Sequence, residues 1–441
     1  MIKLSDSFNY TKLLRYTFPA VIMLVFTSIY GVVDGFFVSN FVGKTPFAAV
    51  NFIMPLMMIL GSVGFMFGTG GSALIAKTIG EGDKEKANKI FSLIIYISLA
   101  ISIVLTVLAI IFMRPIASAL GADGQLLEDS ITYGRLVAIA IPAFVLQTEF
   151  QILFATGEKP KIGLYITIAA GVTNIVLDAL FIVVFSWGLV GAAVATALSL
   201  CVGGVVPLFF FARKNSSLLR LTKTKFDGHA LLRTITNGSS EFVNHISMSI
   251  VGVLFNMQLL KYAGVDGVAA YGVIMYVNMI FISVYLGYAV GVAPIISYHF
   301  GAQNRHELKG LVKKSVLIMG GFSLIMFALA QFLAKPMSIV FVGYDQRLMD
   351  MTQRALFLYA FSFLFSGVGI FGSSFFTAMN DGLTSALIAF MRTLIFQTGA
   401  VFLFPLLWGV DGIWLSVVLA EAMALLVTIL FFIGNRRKYH Y

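Results

Sequence analysis

The chain has 441 residues, of which 59% are hydrophobic and only 11% are charged. Because about 25% of the residues of a soluble globular protein are charged, this composition excludes a protein whose main solvent is water. The formal net charge of +10 would suit a nucleic-acid binder, but the basic residues are divided among separate loops. The sequence therefore predicts no nucleic-acid partner and a chain that resides in a lipid bilayer.

Long apolar runs predict twelve transmembrane helices, since a bilayer span needs about 20 apolar residues. The run from Ile90 to Met113 contains no charge at all. The first six spans are predicted at roughly 14–38, 48–76, 90–113, 131–154, 162–186 and 189–212. The other six are predicted at roughly 236–260, 267–299, 313–334, 353–378, 383–406 and 410–434. The predicted fold class is therefore an all-α membrane protein.

The two halves of the chain carry an internal repeat with an offset of 221 residues. This offset superposes small and aromatic residues, namely Gly31 on Gly252, Gly43 on Gly264, Gly70 on Gly291, Gly80 on Gly301, Trp187 on Trp408 and Gly191 on Gly412. Six helices per half preserve orientation, so we predict two pseudo-symmetric six-helix bundles with a central cleft between them. The predicted domains are an N-terminal lobe (1–212), a cytoplasmic linker (213–235), a C-terminal lobe (236–434) and a basic cytoplasmic tail (435–441).

The distribution of lysine and arginine predicts the orientation of the chain. Most of the 30 basic residues fall in the N-terminal segment, the C-terminal tail and alternate loops. By the positive-inside rule, both termini should lie in the cytoplasm of a multi-pass protein of the cell inner membrane. Cys201 is the sole cysteine, so neither a disulfide framework nor a thiolate metal cluster is expected.

Three polar residues of the N-terminal lobe are predicted to share one layer of the membrane, in its outer half. Counting helical rise from the span ends places Asp34, Asp178 and Thr196 at similar depth. Asn174 lies one turn before Asp178 on the same helix face. Two acids at close range resist being charged together, so this oxygen-rich set would suit a small hard cation such as Na⁺, or a proton. The alternative is ordinary hydrogen bonding between membrane helices.

Other buried polar groups are less informative. Glu241, Asn244, His245 and Asn256 lie on the predicted seventh span and form a possible substrate or proton site of the C-terminal lobe. His245 fits a packing role equally well. Glu149 is expected near an inner helix end, half solvated. Arg392 and Glu421 are expected to form a structural ion pair.

The chain resembles the multidrug and toxic compound extrusion family. The resemblance rests on "TNIVLDALFI" followed by "WGLVGAAVATALS", on "VGVAPIISYHFGAQN" and on Pro19 with "VDGFFVSNFVG". It implies a V-shaped pair of six-helix lobes that exchange a drug-like cargo for sodium ions or protons by alternating access. Within the family the chain looks like the DinF-type branch, whose N-lobe cation site maps onto Asp34, Asn174, Asp178 and Thr196. The tenth span has no acid, which departs from a second branch whose ion site lies in the C-terminal lobe.

These observations predict a monomeric secondary antiporter, not an enzyme, that exports small organic compounds without a cofactor. Neither a nucleotide-binding motif nor metal-ligand spacing of histidines is present, so an ion gradient of H⁺ or Na⁺ should supply the energy. A lipid-linked oligosaccharide flippase of the same superfamily is the main alternative, although only Arg135 and Arg392 lie well inside spans. A major-facilitator carrier and a scaffold or receptor remain further alternatives.

Overall fold

The protein is built from α-helices. The computed structural model describes residues 2–439 and Tyr441, apart from the side chain of Lys44, and these residues contain no β-strand. Met1 of the predicted N-terminal lobe and His440 of the predicted tail lie outside the described residues. The helices of the first half are α1 (Tyr10–Phe37), α2 (Lys44–Gly80), α3 (Lys84–Ala119), α4 (Gly124–Ala138), α5 (Ile141–Thr156), α6 (Pro160–Asp178) and α7 (Gly188–Ala212). Those of the second half are α8 (Gly228–Gly301), α9 (Arg305–Val342), α10 (Gln346–Tyr359), α11 (Phe363–Ala378), α12 (Gly382–Phe390) and α13 (Gln397–Tyr439).

The helices have the length and composition of membrane spans. Within the described residues, nine helical segments are long and apolar enough to cross a membrane, and the bent pair α4–α5 makes a tenth. Two segments are much longer than one crossing requires: α8 has 74 residues, and Gly382–Tyr439 has 58. Each contains one glycine with non-helical backbone angles, Gly264 and Gly409 respectively. Dividing each segment at its glycine agrees with twelve spans, and the number itself stays a prediction. The all-α membrane fold class is confirmed.

Backbone geometry repeats between the two halves at the offset found in the sequence. Gly43 and Gly264 both have positive φ angles, of 128° and 67°, and Gly188 and Gly409 both have φ of 57°. Glycine adopts this region without the steric cost that a Cβ brings. The repeated glycines thus mark equivalent turns between spans in the two halves.

The buried apolar side chains form two large cores, one in each half. Phe91, Phe150 and Phe211 belong to the first core, whereas Tyr285 and Trp414 belong to the second. The start of the chain is an exception, because Leu4, Phe8, Leu13, Tyr16 and Val21 pack with the core of the second half. Helix α8 begins at Gly228, inside the predicted linker of 213–235. The domain boundaries stay predictions.

The two lobes contact each other through glycines of α2 and α8. A Cβ added to Gly80 would overlap the Tyr298 carbonyl oxygen, and one added to Gly301 would overlap the Lys77 carbonyl oxygen. These two contacts are equivalent under the offset of 221, which relates Lys77 to Tyr298 and Gly80 to Gly301. The helix backbones therefore touch across a pseudo-twofold axis, with no room for a side chain between them.

A second pair of contacts lies farther along the same helices. Gly70 packs against Thr234 and Gly238, and its equivalent Gly291 packs against Thr17. Toward the other end of the bundle, a Cβ added to Gly31 or to its equivalent Gly252 would meet no atom within 4 Å. The lobes thus make their tightest backbone contacts at the end that carries Gly80 and Gly301, which we call the closed end, and farther along they touch through the Ser28 and Ser283 hydroxyls (2.6 Å).

The first and last residues that the structure describes lie at the closed end of the bundle. We call this end the terminal face (residues 2–9, 157–159, 302–304, 379–381 and 436–439). The N-terminal segment bridges the lobes there: the Leu4 N–H donates to Glu158 Oε1 (2.7 Å), and the Phe8 N–H donates to Glu307 Oε1 (2.7 Å). Burial raises the pKa of the Glu158 carboxyl, although the bond from Leu4 opposes that shift. The positive-inside rule predicts that this face is cytoplasmic.

The end of α13 is held by Asp381, and we predict that this attachment depends on pH. Burial alone would raise the pKa of Asp381, but hydrogen bonds from Tyr439, Thr384 and Lys438 outweigh burial and hold that pKa below its usual value. A lowered pKa adds stability above the unfolded value of about 3.9, and this stability is lost as the pH falls through the folded pKa. At neutral pH, Asp381→Asn should increase amide exchange in residues 430–439. The cap variant Asp345→Asn should leave that exchange unchanged, and equal exchange in all three proteins would contradict the prediction.

Candidate functional site

The four polar residues predicted to form the N-lobe site come together in the structure. Asp34 projects from α1, Asn174 and Asp178 lie one turn apart on α6, and Thr196 lies on α7. The Thr196 hydroxyl donates to Asp34 Oδ1 at 3.5 Å, and the side chains of Asn174 and Asp178 also interact with Asp34. Asp34, Asn174 and Asp178 are 8%, 2% and 0% exposed. We call this cluster the N-lobe pocket.

Several oxygens of the N-lobe pocket have no hydrogen-bond donor. Both carboxylate oxygens of Asp178 and the Oδ1 of Asn174 are buried without a partner among the described residues. Among the described residues, no lysine or arginine side chain interacts electrostatically with Asp34 or Asp178. Buried oxygens without donors are costly in a protein interior. Their convergence is the arrangement that a small hard cation or a shared proton would satisfy.

Two tyrosines border the N-lobe pocket and were not predicted from the sequence. Tyr133 of α4 is 4% exposed, interacts with Thr196 and lies near both acids. Tyr30 lies one turn before Asp34 on α1, and its hydroxyl accepts a hydrogen bond from Gln147 at 3.4 Å. Tyr30 carries a sequence signal, since its spacing places it on the face of Asp34. Tyr133 carries none, because its position depends on how α4 packs.

Wide helical turns lie beside the pocket. α6 ends at Asp178 and continues as a π-helix over Ala179–Val184, and α1 continues as a π-helix over Val38–Val42. The two π-helices pack against each other. Such turns are frequent at functional sites and interrupt the regular i to i−4 bonding. The π-helices give α1 and α6 a locally altered geometry directly after the pocket residues Asp34 and Asp178.

Glu149 corrects an expectation. The sequence predicts that Glu149 lies near an inner helix end and is half solvated, but in the structure its exposure is 0%. The reason is that α4 and α5 are bent by 56° relative to each other, and α5 packs against Gly68 of α2. Glu149 Oε2 accepts a hydrogen bond from Ser98 (3.0 Å), while its Oε1 has no partner.

A cavity with an apolar wall and several polar side chains lies between the lobes, on the C-lobe side. Its volume is about 40 Å³, enough for one or two waters. Glu241 and Asn244 of α8 line it together with Arg392, which belongs to a π-helix over Met391–Phe396. Thr69 and Ser72 of α2 contribute from the opposite lobe, among the other residues of its wall. We call this space the interlobe cavity.

The structure does not place all four C-lobe candidates together. Glu241 and Asn244 line the interlobe cavity, whereas the ring of His245 packs against Phe65 of the other lobe at a centroid distance of 4.9 Å. Asn256 lies 15 residues after Glu241 on the same helix, which is about 22 Å along its axis. It is not among the residues that line the cavity.

The expected ion pair between Arg392 and Glu421 is present. Arg392 Nε donates to both carboxylate oxygens of Glu421, at 3.1 and 2.9 Å, and Gln397 also donates to Glu421. The side chains of Arg392 and Glu421 are 12% and 4% exposed. Glu241 forms no ion pair among the described residues, but it interacts with Asn244 and lies close enough to Arg392 for a favourable electrostatic interaction.

Breaking this pair on one side should be costly. Glu421→Gln leaves Arg392 with an unpaired charge, and we expect a loss of about 3–5 kcal/mol in the free energy of unfolding. The double variant Arg392→Met with Glu421→Met removes both charges and should recover most of that loss. Thermal unfolding in detergent, compared across the single and double variants, measures the effect. If Glu421→Gln and the double variant are destabilised equally, the pairing of Arg392 with Glu421 does not determine the stability of this site.

Within residues 2–439 and Tyr441, no group of three or more His, Cys, Asp or Glu side chains is arranged to hold a metal ion. The N-lobe pocket has only two acids, and its remaining ligands would be an amide and a hydroxyl. This donor set fits a weakly bound, exchangeable cation of the Na⁺ type better than a resident transition metal.

Comparison with known proteins shows one family model and several relatives that match most of the chain. The family model MatE matches residues 19–180 and again residues 242–401, so each half matches the same model. The multidrug export protein MepA of Staphylococcus haemolyticus is 25% identical, with 98% of this chain and 95% of that protein covered. MepA of Staphylococcus aureus is 24% identical, with 96% of this chain and 93% of that protein covered.

Solved structures share the fold over nearly the whole length. A MATE transporter in complex with MaL6 superposes with a TM-score of 0.94 at 23% identity, covering 99% of this chain and 98% of that one. A MOP superfamily transporter from Pyrococcus furiosus, described as having a binding pocket of reverse polarity that suggests a different function, superposes with a TM-score of 0.92 at 23% identity over 99% and 98% of the two chains.

The family match covers most of the chain, and members of that family are transporters and not enzymes. The apolar helices make this a multi-pass membrane protein. The chain therefore belongs to the MatE family, as its resemblance to the multidrug and toxic compound extrusion transporters predicted.

Proposed function

We propose that the protein is a secondary active antiporter that exports lipophilic, often cationic drugs or toxic metabolites in exchange for H⁺ or Na⁺. It would work by alternating access as a monomer in the cell inner membrane, with both termini in the cytoplasm. The relatives named as multidrug export proteins support the cargo class. The DinF-type assignment within the family is part of this proposal.

The observation that carries the proposal is the pair of buried acids in the N-lobe pocket. Asp34 and Asp178 interact with each other, and the two oxygens of Asp178 have no donor. Acids within a membrane span are costly, so a positive partner has to be supplied from outside the chain. A proton or a sodium ion that enters and leaves the pocket in each cycle provides that partner.

Coupling requires that the ion and the cargo prefer different conformations. An ion bound by Asp34 and Asp178 draws α1 toward α6, next to the two π-helices that follow those residues. The N-terminal part of α1 also packs on α8 of the other lobe, at Gly287 and Gly291. Helix α1 therefore joins the ion pocket to the lobe interface, and a change in its shape can be transmitted to the cleft.

The acid in the wall of the interlobe cavity favours a cationic cargo, which would bind there only when the lobes separate, because the cavity of about 40 Å³ has room only for water. Arg392 is paired with Glu421, whereas Glu241 forms no ion pair among the described residues and interacts with Asn244 and more weakly with Arg392. Of the four predicted residues, Glu241 and Asn244 line the cavity and remain our candidates for a substrate or proton site, with the neighbouring His245 at its edge, whereas Asn256 lies too far along α8 to share it. The flippase alternative would need several cations for a pyrophosphate. The one arginine that lines this cavity is paired with Glu421, and Arg135 donates to the Ile110 carbonyl.

Proteoliposomes test the proposal. Proteoliposomes that contain the purified protein and a lipophilic cationic dye should expel the dye when a proton gradient or a sodium gradient is imposed. The two gradients are applied separately to identify the coupling ion. Flux under one gradient is the expected result. Absence of flux under either gradient would favour a scaffold or receptor, and movement of lipid-linked oligosaccharide without a gradient would favour the flippase.

A further inference from the structure

A groove at the terminal face is lined by four basic side chains. Arg305 and Lys309 lie in the first turns of α9, and Arg436 and Arg437 lie in the last turn of α13. Together with Tyr441 they enclose a volume of about 420 Å³. The groove lies at the end of the spans, away from the N-lobe pocket and the interlobe cavity. Neither the antiport proposal nor the cargo site uses these residues.

The four cations have no anionic partner in the part of the chain that the structure describes. Among the described residues, none of them forms an ion pair or a side-chain hydrogen bond. The nearby acids are occupied elsewhere. Glu307 accepts from the Phe8 N–H and approaches Lys314, and Asp381 accepts from Lys438 and Tyr439. Four like charges around one groove repel one another, so an external anion would stabilise the arrangement.

The groove opens onto the surface that faces lipid. Ile433, one turn before Arg437 on α13, is 67% exposed, as is Leu430. On α9, Leu317 lies two turns after Lys309 and is 55% exposed. Exposed apolar side chains on spanning helices contact hydrocarbon. A molecule in the groove can therefore place a charged group among the four cations while its acyl chains lie along Leu430 and Ile433.

We propose that this groove binds the phosphate head group of an anionic phospholipid of the adjacent leaflet. Basic pockets between spanning helices are suited to such head groups, because a guanidinium group can donate two hydrogen bonds to a phosphate. The continuity with the lipid-facing surface distinguishes this ligand from free phosphate. By joining the start of α9 to the end of α13, the lipid would hold together two helices of the C-terminal lobe.

Native mass spectrometry of the detergent-solubilised full chain tests the proposal. The protein is titrated with phosphatidylglycerol and, separately, with phosphatidylcholine. The groove variant carries both Arg436→Gln and Arg437→Gln. It is compared with a linker variant that carries both Lys223→Gln and Lys225→Gln and so loses the same charge from exposed linker positions. We expect one phosphatidylglycerol bound in preference to phosphatidylcholine. We also expect roughly 30-fold weaker binding in the groove variant, since each basic residue near an anionic surface contributes about a factor of five.

The controls separate the sources of the anion. All variants should unfold at the same temperature without added lipid, because the substituted side chains are exposed. Equal phosphatidylglycerol binding in the groove variant and the linker variant would overturn the proposal. Displacement of the lipid by millimolar inorganic phosphate would also overturn it, because it would identify a free-phosphate site.

Discussion

Replacing Asp178 by asparagine should reduce gradient-driven dye efflux from proteoliposomes to the rate of protein-free vesicles. The asparagine has the same shape, so the helix and its packing remain, but the N-lobe pocket loses one of its two negative charges and its affinity for a cation. Asp34→Asn should have the same effect, because neither acid has another cationic partner among the described residues. The measurement is the initial efflux rate under the gradient that drives the native protein.

The control for this prediction is Asp350→Asn, which removes one carboxylate from an exposed position on α10. Asp350 accepts a hydrogen bond from Gln346, which an asparagine oxygen also accepts. Its efflux rate should equal that of the native protein. If Asp178→Asn transports at the native rate, the acids of the N-lobe pocket are structural and the site assignment is wrong.

Valine at Gly301 should open the closed end of the molecule. The added side chain would overlap the Lys77 carbonyl oxygen, and a backbone atom of α2 cannot move aside as a flexible side chain can. Overpacking of this kind costs about 1–3 kcal/mol or more. Each 1.4 kcal/mol shifts the ratio of the closed to the opened arrangement of the lobes by roughly tenfold. Spin labels on the two lobes at the terminal face should report a longer distance, and outward-directed efflux should fall.

Gly252→Val is the matched control for this substitution. Gly252 lies on the same helix, and an added Cβ there meets no atom within 4 Å. Valine has a higher intrinsic helix propensity than glycine, so propensity does not destabilise the helix in either variant, and a defect found only in Gly301→Val reports the lobe contact. An unchanged distance in Gly301→Val would show that the close approach of α2 and α8 does not hold the lobes together.

The N-lobe pocket was predictable from the sequence because helical rise is constant. Counting residues from span ends placed Asp34, Asp178 and Thr196 at one depth, and Asn174 followed from the spacing within one helix. The offset of 221 residues likewise identified glycines that the structure places at equivalent turns and contacts. These features depend on local geometry or on repetition, and neither requires knowledge of how distant helices pack.

The features that escaped prediction depend on departures from a straight helix. The bend between α4 and α5 determines the burial of Glu149, and the π-helix at Met391–Phe396 carries Arg392 at the interlobe cavity. Amphipathic spacing does not reveal a π-turn, because the sequence of such a turn resembles that of its neighbours. For Glu241, Asn244, His245 and Asn256, presence on one helix did not mean presence at one site, since 15 residues separate the first from the last.

The most direct test of the account is the response of lobe geometry to ions. Spin labels placed on both lobes at the open end of the cleft are measured in nanodiscs while sodium concentration and pH are varied separately. In the native protein, one of the two ions should change the distance distribution, and in Asp178→Asn the same titration should produce no change. An identical response in the native protein and in Asp178→Asn would contradict the claim that the N-lobe pocket couples ion binding to movement of the lobes.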